Sequence, residues 1–424
     1  MMRILVLRQA GHPEVKMLAG REPSPSPAVK KTVLGILQRV RKEGHEAVLD
    51  FARRFDGLQG PLRVTPSELK REAGKTPQLV RKAISQAIEN VERFHLHQRE
   101  DSWDYQGKYG EVLGQVIRPL DRVGIYVPGG AGVYPSTVIM NTVPAKVAGV
   151  PSIAMVTPCP QGLNPSVAYA ALELGIDEIY KIGGAQAVGL LAFGTQKVNR
   201  VDKIVGPGNV YAAVAKKEVF GTVDIDMVAG PSEILVMFDE TADPDWVAAD
   251  LLSQAEHGSG YEAAIGVTTS KTAALWVATC VQAQVKASPK RALLEKALKR
   301  FGRLFVVPDW KIGTELVNTL APEHLEILTK APRILLPAIR NVGAVFLGPY
   351  SSEPVGDYMA GPNHVLPTNG SARFFSPLGV YDFYKRMSLI EYTPKAFAKE
   401  GPLIAALADA EGFYHHAQAV RKRL

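Results

Sequence analysis

Apolar positions near the start of the chain recur at helical spacing: Val33, Ile36, Leu37 and Val40, then Val48, Leu49, Phe51 and Ala52, each set on one side of a 3.6-residue spiral. The pattern predicts two long helical regions, residues 27–57 and 76–99. From Arg122 the texture changes. Short runs rich in β-branched and large apolar residues, VGIYV, SIAMV, EIYKI, KIV and EILVMF, are separated by alanine-rich stretches that end in glycine. Strands alternating with helices in this way predict a parallel sheet, because a parallel neighbour is reached through a crossover. A second series follows, with AAIGVTT, RLFVV, LEIL and AVFLG as strands and residues 273–285, 291–300 and 312–320 as helices.

The expected fold is α/β: two similar Rossmann-like parallel-sheet domains, N-terminal helices and a small helical C-terminal tail. The expected boundaries are 1–121 for the N-terminal helical region, partly packing with the second α/β domain, then 122–232 and 233–348 for the two α/β domains. Residues 349–424 form an irregular segment and the tail. The stretch PYSSEPVGDYMAGPNHVLPTNGSARF is dense in turn formers, and a long irregular segment inside a compact protein is usually functional. Residues 402–424 return to an amphipathic helical pattern, and one such helix cannot bury its apolar face unaided. The tail therefore packs on its own chain or reaches a neighbouring subunit, and the pattern leaves both open.

A chain of 424 residues exceeds what one simple core supports, in keeping with more than one domain. Its longest apolar runs are strand-sized, far short of the roughly 20 residues of a membrane helix. The N-terminus MMRILVLRQAGHPE reaches Arg8 and Gln9 after four further apolar positions, with no cleavage pattern behind it, so a cytoplasmic protein without membrane attachment is expected. Cys159 and Cys280 make no disulfide framework and no CxxC pair, so any metal must rest on nitrogen and oxygen ligands. The net charge of +7 comes from 49 basic residues spread among 42 acidic ones. The modest clusters at 290–300 and 421–423 fall in helical patterns, where a solvated face explains them, and no nucleic-acid role is expected.

Candidate chemistry gathers at three places. In DPDWVAADLLSQAEHG, Asp243 and Pro244 suit a helix start and Gly258 a stop, which puts Gln254 and His257 three residues apart in the last turn. That spacing can offer two ligands to one metal, or simply place a histidine at the favourable end of the helix dipole. Glu323 and His324 precede the strand LEIL; a histidine there can take a hydroxyl proton and a carboxylate can deprotonate water. Asp357 could complete a nitrogen and oxygen site or cap a turn. His364, nearby, is expected to be accessible from its loop context.

Glycine-rich turns follow several strands: YVPGG at 126–130, IGGAQA at 182–187, VGPGN at 205–209 and AGPS at 229–232. None matches GxGxxG, since Tyr211 stands where the third glycine belongs, yet the backbone amides after Gly184 and Gly208 could accept an anion.

Taken together, RPLDRVGIYVPGGAGVYPSTVIMN, KIGGAQAVGLLAFGT, KIVGPGNVY, DIDMVAGPSEILV, DLLSQAEH, APEHLEI and GDYMAGPNHVLPTNGSAR resemble the histidinol dehydrogenase family in sequence and in order, over almost the whole chain. The resemblance implies L-histidinol as substrate, NAD as hydride acceptor, oxidation through the aldehyde to L-histidine, one zinc per subunit and a homodimer. It also implies zinc held by Gln254, His257, Asp357 and a histidine of AEGFYHH. Counting five residues from Glu411 selects His416 over His415. By the same matching Glu323 and His324 are the proton-transfer pair, Tyr126, Gln186 and Asn209 face NAD, and Ser232, His324 and Glu411 join the zinc ligands around the substrate. Glu411 and His416 would cross the dimer interface, which would answer where the tail docks. One departure stands out: QAEH is followed by Gly258, Ser259 and Gly260 where the family usually has an acidic residue.

Two other readings use the same residues. A zinc hydrolase could employ the same ligands with Glu323 activating water, and would form no NADH; a non-catalytic metal-dependent binding protein would have no use for Glu323 and His324. A thiolate mechanism would have to rest on Cys159 in VTPCPQG, which lacks a neighbouring base.

Overall fold

The computed structural model describes residues 2–21, 26–129, 132–160, 162–228 and 230–424; Gly130 and Ala229 of the glycine-rich turns lie outside the described residues. In chain order the strands are β1 (Arg3–Val6), β2 (Trp103–Gln106), β3 (Val112–Pro119), β4 (Arg122–Tyr126), β5 (Ser152–Val156), β6 (Glu178–Tyr180) and β7 (Lys203–Val205). They continue with β8 (Asp224–Ile225), β9 (Glu233–Phe238), β10 (Ala263–Thr268), β11 (Gly302–Val306), β12 (His324–Leu328), β13 (Ala344–Leu347) and β14 (Tyr384–Glu391).

Two parallel sheets carry the molecule. The first has the order β6-β5-β4-β7-β8 and the second β1-β11-β10-β9-β12-β13. Counted from their own first strands, β4 and β9, both follow 3-2-1-4-5, the start of the doubly wound order, and the second adds β1 at an edge. The expectation of two similar Rossmann-like domains is met. The run EILVMF, read in sequence beside the first series, is β9, an interior strand of the second sheet flanked by β10 and β12. Its six residues are all buried, as a parallel strand covered on both faces requires.

The helical N-terminal region divides between the sheets. Residues of the helices Pro27–Glu43 and His45–Asp56 join the cluster that contains Tyr126, Val156 and Ile204, on one face of the first sheet. The helices Pro66–Ala73 and Gln78–Leu96 join Val123, Ile125 and Met155 on the other face. Alternate strand residues thus feed opposite layers. Only β1 and the helix Pro13–Ala19 go to the second sheet, where Leu7, Val15 and Leu18 pack with Leu235 and Phe305.

Sequence periodicity did not reveal the third sheet, the antiparallel β14-β3-β2, which ties the segment after residue 383 back to residues 103–119. The tail is a hairpin of two helices, Pro394–Ala410 and Tyr414–Arg421, turning at Gly412 with φ 79°. It begins earlier than its pattern suggested, with Pro402 inside the first helix. The two helices pack on each other, while Leu403 and Leu407 stay 71% and 64% exposed. Among the described residues no helix is long and apolar enough to cross a membrane.

Candidate active site

β8 ends the first sheet, and residues 226–232 alone separate it from β9. Carboxyl ends of the first sheet are thereby brought toward amino ends of the second. Glu323 and His324 stand at the start of β12, and Ser232, half-buried, at the start of β9, so the second sheet offers the opposite end from the one α/β sheets usually present to ligands. His364 bridges the two sides: it lies against Ser136 of the helix Pro135–Ala148, and its Nδ1 is 4.0 Å from Asp357 Oδ1.

Parallel pairing of β12 with β9 places His324 beside Ile234. From there the two side chains take both backbone groups of the preceding residue. The Glu233 N–H donates to Glu323 Oε2 at 3.0 Å, and His324 Nδ1 meets the Glu233 carbonyl at 2.9 Å. A carbonyl can only accept, so Nδ1 carries the proton and Nε2 is left with its lone pair. Burial lowers the pKa of His324 and keeps it neutral. Burial, then the charge of Glu233, pushes Glu323 well above the carboxylate range.

His324 Nε2 faces two acids, Asp357, which the sequence had singled out, and Glu353, which it had not. The helix Glu353–Tyr358 carries Glu353 and Asp357 four residues apart, hence on one face. With His324 they form, among the described residues, a group whose ligand atoms all lie within 4.8 Å of one another. Burial, then Glu353, pushes Asp357 up to about 9. The segment reads as loop because of its glycines and prolines; the signal for Glu353 was an acid pair at helical spacing after Ser352.

Gln254, on the helix Pro244–Ala255, is buried with its Oε1 unpartnered, and the neighbouring Ser253 Oγ lies 3.4 Å from Glu353 Oε2. His257 falls two residues past that helix, exposed, with Nδ1 3.1 Å from the Gln254 carbonyl. Glu411 and His416 are exposed on the tail hairpin, and neither His257 nor His416 belongs to the group around His324. His364 departs from expectation: its side chain is 15% exposed, and burial takes its pKa down to about 4.

On the first sheet, Tyr126, Gln186 and Asn209 converge. The Tyr126 hydroxyl accepts from the Gly184 N–H at 2.8 Å, and burial raises its pKa to about 12. A Cβ on Gly208, next to Asn209, would come 3.2 Å from the Tyr126 ring, and one on Gly206 would come 2.2 Å from the Tyr126 carbonyl oxygen. Gly206, at φ 106°, admits no side chain. At these two helix starts the amides of Gly183, Gly184, Tyr211 and Ala212 are already used within the protein. Asp56 accepts from Gly183 N–H and from Gln186 Nε2, at 3.0 and 2.9 Å, Tyr126 takes Gly184 N–H, and Asn209 Oδ1 caps Tyr211 and Ala212. A cavity of about 500 Å³ opens beside them, lined by Pro128, Gly129, Thr157 and Cys159. Burial takes the Cys159 thiol up to about 12, the wrong direction for a nucleophile.

The sequence profile of the family described as histidinol dehydrogenase matches residues 20–424. Histidinol dehydrogenase of Bacillus subtilis (strain 168) is 49% identical over 398 residues, which cover 93% of each chain. That of Aquifex aeolicus (strain VF5) is 48% identical over 397 residues, 93% of this chain and 92% of its own. The crystal structure of histidinol dehydrogenase from Elizabethkingia anophelis aligns with a TM-score of 0.94 at 35% identity, covering 100% of this chain and 98% of that chain.

Proposed function

Since this chain belongs to the histidinol dehydrogenase family, we propose that it oxidises L-histidinol through L-histidinaldehyde to L-histidine, with Glu323 and His324 moving the protons. The supporting observation is the fixed tautomer of His324. With Nδ1–H held by the Glu233 carbonyl, the buried, unpartnered Nε2 is free to accept a proton, and Glu323 Oε2 stands on the other side of the ring, 3.7 Å from Nδ1.

The polar atoms around it fit a metal ion. His324 Nε2, Glu353 Oε1 and Gln254 Oε1 are buried without hydrogen-bond partners, and buried polar groups are otherwise nearly always satisfied. Nitrogen and oxygen donors of this kind suit zinc. In our reading Gln254, His257 and Asp357 would hold it together with His416 of the partner subunit, and Glu353 would supply further negative charge. Bound there, zinc would act as a Lewis acid that orients the imidazole and amine of the substrate.

Tyr126, Gln186 and Asn209 would hold NAD over the first sheet, where it would supply the hydride acceptor for the alcohol carbon. His324 Nε2 takes the hydroxyl proton as hydride leaves. Glu323 then removes a proton from the water that adds to the aldehyde carbon while His324 returns its proton to the carbonyl oxygen. The hydrate would next lose a hydroxyl proton to His324 Nε2 as its hydride passes to a second NAD, leaving the carboxylic acid. The upward push on Glu323 is the direction that strengthens a carboxylate as a base near neutral pH. Ser232 and Glu411 would line the substrate, and the exposed apolar side of the tail hairpin would rest on a partner subunit of a homodimer. We place the reaction in the cytoplasm, where NAD is available.

The test is product analysis with L-histidinol and NAD in zinc-loaded protein. Two NADH per histidine are expected, and absence of NADH formation would overturn the reading in favour of a hydrolase.

A further inference from the structure

Glu233 contributes both of its backbone groups to the proton-transfer pair, so whatever holds Glu233 also sets where Glu323 and His324 point. Its carboxylate is 3% exposed and meets Arg21 Nη2, itself on a 5% exposed side chain, at 2.5 Å. Arg21 also donates through Nη1 to the Leu18 carbonyl at 3.1 Å, which ties it to the end of the helix Pro13–Ala19. Glu233 Oε1 accepts in addition from the Asn369 N–H at 2.5 Å. Asn369 has φ 53°, a conformation unusual outside glycine, and its neighbour Thr368 takes the Gly230 N–H at 2.6 Å. Three distant segments therefore close on the first residue of β9.

We infer that the buried Arg21–Glu233 pair positions the catalytic machinery: it holds the start of β9 so that the Glu233 carbonyl keeps His324 in its Nδ1–H tautomer and the Glu233 amide keeps Glu323 beside it. Glu233 and Arg21 are positioning residues, acting through the backbone and touching neither substrate nor cofactor. The inference rests on the reading of Glu323 and His324 as the proton-transfer pair. A buried ion pair is weak support for stability in itself, since the cost of desolvating both charges offsets their attraction. Placed on the backbone that orients the reacting groups, it has a further use. Misplacing a reacting group by about 1 Å can lower a rate by about 10²-fold.

Arg21→Met and Glu233→Gln, measured as zinc-loaded enzyme with saturating NAD, are expected to lower kcat about tenfold or more while KM for histidinol stays within about twofold and zinc content is unchanged. Arg21→Lys, which keeps the charge, is expected to recover part of kcat. Each single variant strands one buried charge and can fail to fold, so the charge-free double variant Arg21→Met with Glu233→Gln is the second measure; it is expected to fold and to remain slow. Wild-type kcat in the folded double variant would overturn the inference, and so would single variants whose only defect is a lower melting temperature. His324→Asn separates the two levels. If it is inactive while the double variant is fast, the positioning inference alone fails; if it retains full turnover, the proton-transfer reading fails and takes this inference with it.

Discussion

His324 Nε2 lies 3.7 Å from Glu353 Oε1, and both atoms are buried without a hydrogen-bond partner. Behind Glu353 the crowding of carboxyl groups continues: its N–H donates to Glu326 Oε1, and burial, then Asp250, pushes the fully buried Glu326 well above the carboxylate range. Such an arrangement crowds carboxyl groups around a free imidazole lone pair and pushes their pKa values up, and a bound cation would relieve that crowding.

Glu353→Gln is therefore expected to move stability and metal affinity in opposite directions. Removing one negative charge relieves Asp357, and each pKa unit of relieved repulsion corresponds to about 1.4 kcal/mol. Metal-free protein should melt at an equal or higher temperature, while zinc affinity, followed by competition with a chelator, should fall about 10- to 100-fold. Unchanged zinc affinity would exclude Glu353 from the site.

The two half-reactions should separate by residue. Glu323→Gln is expected to slow oxidation of supplied histidinaldehyde by about 10²-fold or more, the usual scale for losing a general base, and to spare the alcohol step more. His324→Asn should act first on the alcohol step. Normal aldehyde oxidation in Glu323→Gln would remove Glu323 from the mechanism.

Chelation is expected to abolish turnover and zinc to restore it, with little change in far-UV circular dichroism. His416→Asn should lower zinc content more than His415→Asn; the reverse ranking would mean that the register of the tail is shifted by one.

The exposed tail hairpin predicts complementation. His257→Ala subunits and His416→Ala subunits, each inactive alone, should regain activity when dissociated and mixed, because some shared sites then carry both wild-type histidines. No recovery despite demonstrated subunit exchange would mean that the tail acts on its own chain.

Stability should fall on mild acidification through buried histidines. His95 is fully buried, with Nδ1 2.7 Å from Gln98 Oε1, and burial lowers its pKa from 6.5. The unfolded chain takes up a proton at 6.5 while the folded one resists it until a lower pH. The unfolded state therefore binds more protons in that window, and stability, full above 6.5, declines as pH drops below it. His45, His324 and His364 are lowered too and act in the same sense. Denaturation midpoints between pH 7.5 and about 5 should fall less steeply for His95→Gln than for wild type; equal slopes would place the acid sensitivity elsewhere.

Local chemistry wrote much of this protein into its sequence. Helical spacing at Val33, Ile36, Leu37 and Val40 and the largely apolar runs of β9 and β10 follow from burial on one stripe or on two faces, so they are legible without a fold. The Asp243 cap and Pro244 start of the helix carrying Gln254 are equally local. Tertiary structure alone decided which strands are neighbours. β1 pairs with β11 some three hundred residues later, and β14 with β3. A buried parallel strand looks the same whichever sheet receives it. The same reason hid the acids and cations of the site: Arg21 with Glu233, Asp56 with Gln186, and Glu353 with His324 are joined by topology, and the spacing of charged residues along a chain carries no trace of a partner met only after folding.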